Sequence, residues 1–561
     1  MSSPRHAQAG ESVSSIPRPF FAKIMLKHFR AAAVTPGLLL WLLCLLGGCA
    51  SLPYNYPRPV SSGLLLPEKT RLGQKIHPQV VEHQGNSGFH LLVTGHEAFM
   101  ARLLLIANAQ HTLDLQYYIF EDDVTGKYLM DRLIAAAERG VRVRLLLDDW
   151  KESGKMDWGL ALAETNPNIQ VRVFNPLGGL RLFLLTRSLQ VLLGPQRLMG
   201  RMHNKSFIAD NSVAIVGGRN IGDAYFGARA NINFGDMDIM AVGPVTRKIS
   251  TVFDDYWNSA LAFPIQALEK RQPTAEDLEK MRSFLAANRE SVKNSAYARQ
   301  LQESKFAQQV EAGRVPYIWG EAEVLYDNPL KVINPEERRP PALVGHRLRT
   351  LIEEARSEVL VITPYFVPRK AGLAWFKKLR DRGVTVKVLT NSLASTDSAV
   401  AEGGYARYRK PLLEMGVELY ELKPNPDQWR FWDRISLGGS SSSSRGALHA
   451  KTVIIDGQVV FVGSFNLDPR SARLDTQNGV AVWSKELAAQ TSRLFSRGIS
   501  PSNAYRVILG GSAPERGEWH GLVWVTTENG KEVRYHQDPM TSIWRRLEMR
   551  VLSWIAPESL L

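Results

Sequence analysis

The sequence contains an internal repeat, and each copy ends in a segment with a histidine and a lysine two residues apart. Residues 202–220 read MHNKSFIADNSVAIVGGRN, and residues 448–466 read LHAKTVIIDGQVVFVGSFN. Both segments match H-x-K-x-x-x-x-D and continue into G-x-x-N at the same distance. Short apolar runs on either side of a polar turn predict a β-hairpin. The two copies are therefore expected to end in equivalent hairpins.

The same order of secondary structure precedes both hairpins. Each copy begins with an apolar strand, continues into an amphipathic helix that stops at a glycine, and returns as a second strand, with a further strand later. The segments are 111–120, 126–140, 141–149 and 169–174 in the first copy, and 357–367, 371–383, 384–392 and 417–422 in the second. Alternating strands and helices indicate parallel strands with crossover helices. The predicted fold class is α/β, with two similar units side by side.

The repeat divides the chain into six predicted regions. They are an export segment, a tether, a first α/β unit, a helical connection, a second α/β unit and a small C-terminal tail. Their predicted bounds are 1–48, 49–87, 88–270, 271–315, 316–500 and 501–561. The tail predicts a hairpin about Asn529 and Gly530, followed by a basic helix rich in tryptophan.

The hairpins carry the residues suited to catalysis. In a β-strand, residues i and i+2 point to the same face, so the histidine and lysine of each hairpin project together. The catalytic motifs comprise His203, Lys205 and Asp210 in the first copy, and His449, Lys451 and Asp456 in the second. The aspartates have the opposite parity and lie beside the turns, so we expect them to fix the hairpins rather than touch a substrate. One such match is a weak signal, but two in equivalent units leave chance little room.

This double motif is the HKD signature, and residues 88–485 resemble the phospholipase D superfamily. Within it, LDLQYYIFEDDVTGK, VRVRLLLDD and TPYFVP, together with Trp544 near the end, resemble the bacterial cardiolipin synthases, most closely their shorter type C branch. The resemblance implies two phospholipase D-type α/β units related by pseudo-twofold symmetry, with one active site between them.

The chemistry of a phosphodiester accounts for these residues. Lysines and neutral donors hold its oxygens and offset charge as the transition state forms. The residues with this predicted role are Lys205, Lys451, Asn220, Ser464 and Asn466. One imidazole must attack phosphorus, and the other must protonate the leaving alcohol and deprotonate the incoming one. The resemblance places the nucleophile on His203 and the acid/base on His449, while the symmetry of the sequence leaves the opposite assignment open. No metal and no cofactor are predicted.

One part of the sequence departs from the family pattern. Family members carry a carboxylate after each hairpin that orients a catalytic imidazole. The first copy offers Asp236 and Asp238, whereas the second reads Asp475-Thr476-Gln477, with Gln477 where glutamate is expected. An amide accepts the hydrogen bond but cannot stabilise an imidazolium as a carboxylate does. Either Asp475 substitutes, or one histidine is less basic.

The N-terminal region has the features of an export signal. Basic residues precede an apolar run that is short for a membrane-spanning helix, and small residues follow it. The ending Leu46-Gly47-Gly48-Cys49 resembles a bacterial lipobox, which implies cleavage before Cys49 and lipid attachment to it. An uncleaved anchor is the alternative. The predicted location is an exported, membrane-anchored lipoprotein that faces the periplasm, and the residue after Cys49 favours the outer membrane over the inner one.

The charge of the chain suits anionic partners. Its formal net charge is +14, and the first 48 residues account for only five basic residues and one acidic residue. The predicted partners are anionic and zwitterionic phospholipids and a membrane surface, with no nucleic acid and with a small accessory protein left open. Residues 178–201, rich in leucine and arginine, and the tail helix are candidates for membrane contact, with packing against the body as the alternative for each.

Three functions fit these features. The leading one is a transphosphatidylase that moves a phosphatidyl group through a phosphohistidine to a hydroxyl of phosphatidylglycerol, giving cardiolipin. The second is a hydrolase of the same superfamily, a phospholipase D or a nuclease, in which water is the acceptor. Nothing in the hairpins separates these two, although the export signal disfavours a nuclease. The third is a lipid-binding protein with a decayed site, which the two complete motifs disfavour. The donor, phosphatidylglycerol or phosphatidylethanolamine, is left open.

Overall fold

The computed structural model describes most of the chain after the export segment. The described residues are 52–149, 164–176, 199–229, 231–268, 273–293, 305–312, 314–334, 336–338, 343–424, 445–510 and 521–555. Those from Pro53 onward belong to one compact unit. The predicted lipid-attachment site at Cys49 and most of the stretch rich in leucine and arginine, 178–198, lie outside the described residues.

The first half alternates strands and helices as its sequence pattern predicts. Its strands are β1 Ser87–Leu92, β2 Thr112–Tyr117, β3 Arg142–Asp148, β4 Ile169–Phe174, β5 Ser206–Ala209, β6 Val213–Gly217, β7 Ile232–Gly235, β8 Asp238–Val242 and β9 Ala262–Pro264. Its helices are α1 Arg71–Glu82, α2 Gly95–Asn108, α3 Val124–Glu138, α4 Pro244–Trp257 and α5 Ile265–Leu268. Side-chain caps begin the crossover helices: Thr94 and Glu97 form a capping box at α2, and Asp123 accepts from the Gly126 amide at α3.

The connection and the second half follow. The connection contains α6 Ala275–Lys293 and α7 Lys305–Glu311. The strands of the second half are β10 Ile318–Tyr326, β11 Glu358–Ile362, β12 Thr385–Asn391, β13 Glu418–Leu422, β14 Arg445–Leu448, β15 Thr452–Ile455, β16 Val459–Gly463, β17 Asn478–Trp483 and β18 Ala504–Leu509. Its helices are α8 Val344–Glu353, α9 Arg369–Asp381, α10 Ala399–Ala406, α11 Arg409–Glu414, α12 Pro469–Arg473 and α13 Lys485–Gly498.

The tail adds a hairpin and a helix, namely β19 Leu522–Glu528, β20 Lys531–Tyr535 and α14 Ile543–Ile555. Asn529 and Gly530 have φ values of 50° and 76°. Two consecutive left-handed residues match a tight turn that follows the twist of the strands. Strand β19 pairs with β18, so the tail extends the sheet of the second half. The described residues include no helix with the length and apolarity needed to cross a membrane.

One mixed sheet runs through both halves, with the same strand order in each. From the edge inward, the first half runs β9-β4-β3-β2-β5-β6-β8-β1. The second half, inward from the strand that the tail extends, runs β18-β13-β12-β11-β15-β16-β17-β10. Within each half three strands are parallel, as the crossover helices require, and the hairpins pair antiparallel. The predicted fold class, two equivalent α/β units, is confirmed.

The two halves share a strand and a core. The first residues of β10 pair with β1, where Phe89 lies opposite Ile318, and its later residues pair with β17, where Glu323 lies opposite Ala481. One apolar cluster draws its side chains from both halves, whereas two others belong mainly to one half each. The halves therefore hold each other in a fixed orientation.

Candidate active site

The two HKD hairpins have the same turn geometry. Asp210 and Asn211 both have φ of 50°, and Asp456 and Gly457 have φ of 51° and 61°. Aspartate, asparagine and glycine are the residues that adopt this left-handed conformation most readily. The turn sequence therefore sets the register of each hairpin, and with it the position of the histidine that precedes the first strand.

The motif aspartates hold these turns against the neighbouring strand. Asp210 accepts hydrogen bonds of 2.8–2.9 Å from the backbone amides of Gln110, His111 and Thr112, and Asp456 accepts equivalent bonds from those of Arg356, Ser357 and Glu358. These amides lie at the beginning of β2 and β11. The turns lie at the other end of β5 and β15 from the histidines. Asp210 and Asp456 are therefore removed from the residues that can touch a substrate, and their role is to fix the hairpins.

Each histidine lies beside a segment that belongs to the other half. Strand β14, which leads into His449, pairs in parallel with β7, and the His449 amide donates to the Gly235 carbonyl at 2.7 Å. Met202 forms an isolated parallel bridge with Thr476, and the His203 amide donates to the Thr476 carbonyl at 2.9 Å. These two contacts are equivalent under the pseudo-twofold symmetry. They bring the residue after Gly235 to one histidine and the residue after Thr476 to the other.

His203 is held through its Nδ1 atom by two acceptors. Nδ1 lies 2.9 Å from Gln477 Oε1 and 3.1 Å from the backbone oxygen of Ser464. Because both partners accept, Nδ1 carries the hydrogen and Nε2 of the neutral ring holds the free electron pair. Ser464 Oγ donates to the same Gln477 oxygen at 2.7 Å, which sets the orientation of the amide. Tyr118 packs edge-on against the ring, with 5.0 Å between centroids.

His449 has a carboxylate in the equivalent place. Its Nδ1 lies 2.6 Å from Asp236 Oδ2, and Tyr225 and Phe234 pack against its ring at centroid distances of 5.3 and 5.2 Å. Gly218, the counterpart of Ser464, leaves room for this carboxylate: a Cβ atom there would lie 2.1 Å from Asp236 Oδ1. The first half thus supplies a glycine and an aspartate where the second supplies a serine and a glutamine.

This difference separates the pKa values of the two imidazoles. Burial lowers both, and the charge of Lys205 or Lys451 lowers them further. The pKa of His203 lies well below its usual value because burial and the charges of Lys205 and Lys451 lower it, while the hydrogen bond to the Gln477 amide acts in the opposite direction. The charge and hydrogen bond of Asp236 oppose the lowering at His449. Burial alone would raise the pKa of Asp236, but His449 and Lys451 lower it to about 2.

The two motif lysines are buried next to the histidines. Lys205 Nζ donates to the His203 carbonyl at 2.6 Å, and Lys451 Nζ donates to the His449 carbonyl. Burial and the charge of Lys451 lower the pKa of Lys205 well below its usual value, and burial lowers the pKa of Lys451 to about 8. Two buried ammonium groups that repel each other favour an anionic ligand, because a phosphate oxygen close to both restores their charged forms.

The neutral residues proposed to bind substrate differ in how many of their hydrogen-bonding atoms already have a partner in the protein. Asn220 accepts from the Ile119 amide at 3.2 Å and donates to the Tyr225 hydroxyl at 2.9 Å. The Ser464 hydroxyl already donates to Gln477 Oε1. Among the described residues, Oδ1 of Asn466 and Nε2 of Gln477 are buried without a hydrogen-bond partner.

Asp238 and Asp475, two further candidates from the sequence, do not contact a histidine. Asp238 pairs with Arg102 at 2.9 Å and accepts from the Arg219 amide at 3.2 Å. Asp475 accepts from the Arg201 amide at 2.9 Å and pairs with Arg470 at 2.8 Å. The residues that orient the imidazoles are therefore Asp236 and Gln477, one from each half.

Two residues missed in the sequence hold the strands that carry the histidines. Asp148, at the end of β3, accepts from the Met202 amide at 2.8 Å and pairs with Arg201 at 2.8 Å. Asn391, at the end of β12, accepts from the Leu448 amide at 2.8 Å and donates to its carbonyl at 2.9 Å. Both residues are polar and end equivalent parallel strands, and this position in the sequence was the signal that could have identified them. The described residues contain no cluster of three or more histidine, cysteine or acidic side chains suited to a metal ion.

The fold and the paired histidines define a phospholipase D-type enzyme, and comparison with known proteins narrows the class. The family model described as "Cardiolipin synthase, PLD-like domain" matches residues 103–257 and 348–499. Cardiolipin synthase C of Escherichia coli is 39% identical, and the alignment covers 88% of this chain and 100% of that protein. An uncharacterized protein of Helicobacter pylori is 32% identical, with coverage of 91% and 97%.

A solved structure supports the fold. The crystal structure of a phosphatidylserine synthase from Haemophilus influenzae superposes with a TM-score of 0.51 at 13% identity, over 77% of this chain and 92% of that one. The chain belongs to the cardiolipin synthase family, whose members are phosphatidyltransferases of the phospholipase D superfamily.

Proposed function

We propose that the protein makes cardiolipin by moving a phosphatidyl group from a donor phospholipid, through a phosphohistidine, to a hydroxyl of phosphatidylglycerol. The observation that carries the proposal is the convergence of two buried histidine–lysine pairs, with the Nδ1 atom of each ring held from the opposite half. A site of this kind supplies a nucleophile, a proton carrier and two cations for one phosphodiester.

In the first step, Nε2 of His203 attacks phosphorus. A phosphorus–nitrogen bond forms, and the bond to the headgroup oxygen breaks. His449, in its protonated form, gives its Nε2 proton to that oxygen, so the headgroup leaves as a neutral alcohol. The low pKa of His203 keeps it neutral and nucleophilic. Asp236 stabilises the protonated ring of His449.

In the second step, the now neutral His449 removes the proton from a hydroxyl of phosphatidylglycerol. The hydroxyl oxygen attacks phosphorus, the phosphorus–nitrogen bond breaks, and His203 returns to its neutral form. Lys205 and Lys451 offset the charge on the phosphate oxygens in both steps. Asn466 has a buried oxygen that can accept a hydrogen bond from the acceptor alcohol.

The function is tested by identifying the products. The full-length protein is incorporated into vesicles of phosphatidylglycerol, with and without phosphatidylethanolamine, and the lipids and released alcohols are measured by mass spectrometry. We expect cardiolipin with an equal amount of glycerol or ethanolamine, which also identifies the donor. Phosphatidic acid without cardiolipin would establish a hydrolase, and binding to the vesicles without turnover would support a lipid-binding protein. His203→Ala is the matched control.

We further propose that the protein is an exported lipoprotein attached through Cys49 and facing the periplasm, in the outer membrane. Support comes from the sequence Leu46-Gly47-Gly48-Cys49 and from Ala50 after it. Mass spectrometry of the protein isolated from membranes should show a chain that begins at an acylated Cys49. A mature chain that still contains residues 25–48 would contradict lipid attachment, and membrane fractionation decides between the two membranes.

A further inference from the structure

The C-terminal helix α14 has two faces with opposite surroundings. One face packs closely on α10, where Gly403 has no side chain: a Cβ atom there would lie 3.0 Å from the Ser553 amide nitrogen. Met549 on this face is only 7% exposed. The opposite face exposes large apolar side chains, namely Ile543 (73%), Trp544 (77%), Leu547 (48%) and Val551 (46%). These positions follow the helical repeat, so they form one continuous stripe.

No other helix among the described residues has such a stripe. Helices α1, α3, α6 and α10 each expose one large apolar residue: Val81, Val124, Phe284 and Val400. Scattered residues of this kind are normal on a protein surface, whereas a contiguous apolar stripe indicates an interaction site. The residue Met540, just before α14, is also 61% exposed.

The charged residues of α14 indicate the kind of partner. The helix carries Arg545, Arg546 and Arg550 against one acidic residue, Glu548. Arg546 and Arg550 each lie three residues after a stripe residue, Ile543 and Leu547, so they border the stripe on the helix surface. Arg546 donates to the Thr541 carbonyl at 2.7 Å, whereas Arg545 pairs with Glu548 at 3.0 Å. An apolar stripe that includes an exposed tryptophan and is bordered by arginines is typical of helices that lie in the interface of an anionic bilayer.

The helix is attached firmly to the part of the fold that carries the active site. Arg409 forms ion pairs with Glu402 of α10, with Glu421 of β13 at 2.7 Å and with Asp538 of the tail at 3.2 Å. Helix α10 begins just after Asp397, which accepts from the Tyr365 hydroxyl at 2.9 Å. Helix α14 is therefore connected rigidly, through α10, to the loop of the second half that contains Asp397.

We infer that the exposed face of α14 binds an anionic phospholipid bilayer, with the helix lying in the headgroup region parallel to the membrane plane. The tail then gives the enzyme a second membrane contact, independent of the N-terminal segment, and limits its orientation on the surface. This inference goes beyond the proposed function, because it concerns attachment and holds whichever reaction the site performs.

A site-specific probe tests the inference in the full chain. The two cysteines are replaced by Cys44→Ser and Cys49→Ser, and a fluorophore is attached to a single new cysteine at Trp544→Cys. Phe284→Cys is the matched control, because Phe284 is an aromatic residue on α6 with 53% exposure. Both proteins are incorporated into phosphatidylglycerol-containing vesicles that carry nitroxide-labelled lipids. We expect strong quenching at position 544 and little at 284, and weaker quenching at 544 in vesicles of phosphatidylcholine alone.

The other possible occupants of the stripe give different results. Equal and weak lipid quenching at both positions would overturn the inference. Quenching by a nitroxide on a second copy of the protein, in place of lipid quenching, would assign the face to a dimer. A fluorophore at 544 that neither lipid nor a second copy quenches would leave the face exposed to water and would likewise overturn the inference.

Activity provides an independent readout. The double variant Ile543→Asp with Leu547→Asp is compared with Phe284→Asp. We expect the double variant to lower turnover of vesicle substrate by about tenfold, since each lost apolar contact weakens partitioning into the interface. Turnover of detergent-dispersed substrate should stay unchanged, which separates this effect from a failure of the proposed reaction. Equal loss on both substrates would contradict membrane binding by α14.

Discussion

The two histidine sites are built from equivalent parts, yet they differ where each ring meets the opposite half. His203 and His449 precede matching hairpins, and each donates its backbone amide to a carbonyl across the junction. The ring of His203 faces the amide of Gln477, whereas the ring of His449 faces the carboxylate of Asp236. Since the folds match, the chemical difference between the two histidines depends mainly on one side chain at each site.

The comparison teaches that symmetry of the backbone need not give symmetry of function. The two steps of phosphoryl transfer need imidazoles with different properties: a neutral one as the nucleophile, and one able to hold a proton as the acid/base. A carboxylate on one side and an amide on the other provide that difference without any change in the hairpins. Because each orienting residue comes from the other half, neither half contains a complete histidine site.

The largest expected effect comes from removing a histidine. His203→Ala and His449→Ala should each lower transfer between natural lipids by about a thousandfold or more, because one reaction needs both imidazoles. A phosphodiester donor with an activated leaving group, such as nitrophenol, needs no protonation of that group. With this donor His449→Ala should still release a burst of nitrophenol equal to the number of sites, and His203→Ala should not. A burst in His203→Ala alone would reverse the two roles.

The next effect concerns the carboxylate. Asp236→Asn should lower turnover by about ten- to a hundredfold, because it removes the charge that favours the protonated His449. Since Asp236 raises the pKa of His449, its loss lowers that pKa, and the proton donor is then populated only at lower pH. The pH optimum should therefore move down. Asp238→Asn is the control: it should reduce the melting temperature without moving the optimum, and an equal shift in both variants would contradict this role of Asp236.

A smaller effect is expected when the amide becomes a carboxylate. Gln477→Glu should raise the pKa of His203, so that the neutral nucleophile is populated only at higher pH. The acidic limb of the pH–rate profile should move up by about one pH unit, with a change in maximal turnover of severalfold or less. The double variant Asp236→Gln with Gln477→Glu moves the carboxylate from His449 to His203. It tests whether the nucleophile and acid/base roles of the two histidines are exchanged as a result. An unchanged profile in the single variant would mean that residue 477 does not act on His203.

The smallest effect is expected at Asp475. Asparagine can still accept from the Arg201 amide and loses only the ion pair with Arg470. Asp475→Asn should therefore change turnover by less than about threefold and leave the pH profile unmoved. A displaced profile would show that Asp475 acts on a histidine, and Gln477 would then not be the residue that sets the pKa of His203.

The sequence alone determined the fold class and the identity of the repeated motif. Strand and helix periodicity are local, and the turns at Asp210 and Asp456 need residues that tolerate positive φ, so both hairpins can be read from short stretches. The double motif also indicated the family, because the same spacing occurs at the end of two equivalent units. The departure at Gln477 was visible in the sequence as well, but its consequence was not.

Only the tertiary structure decided which side chain serves which histidine. Asp236 and Asp238 lie two residues apart, so a regular strand would point both to the same side, and local pattern cannot separate them. The parallel pairing of β7 with β14 places Asp236 beside His449, and the bridge between Met202 and Thr476 places Gln477 beside His203. Those contacts join residues far apart in the chain, and they depend on how the two halves pack. The pKa difference between the histidines arises from that packing, because burial and neighbouring charge are properties of the assembled site.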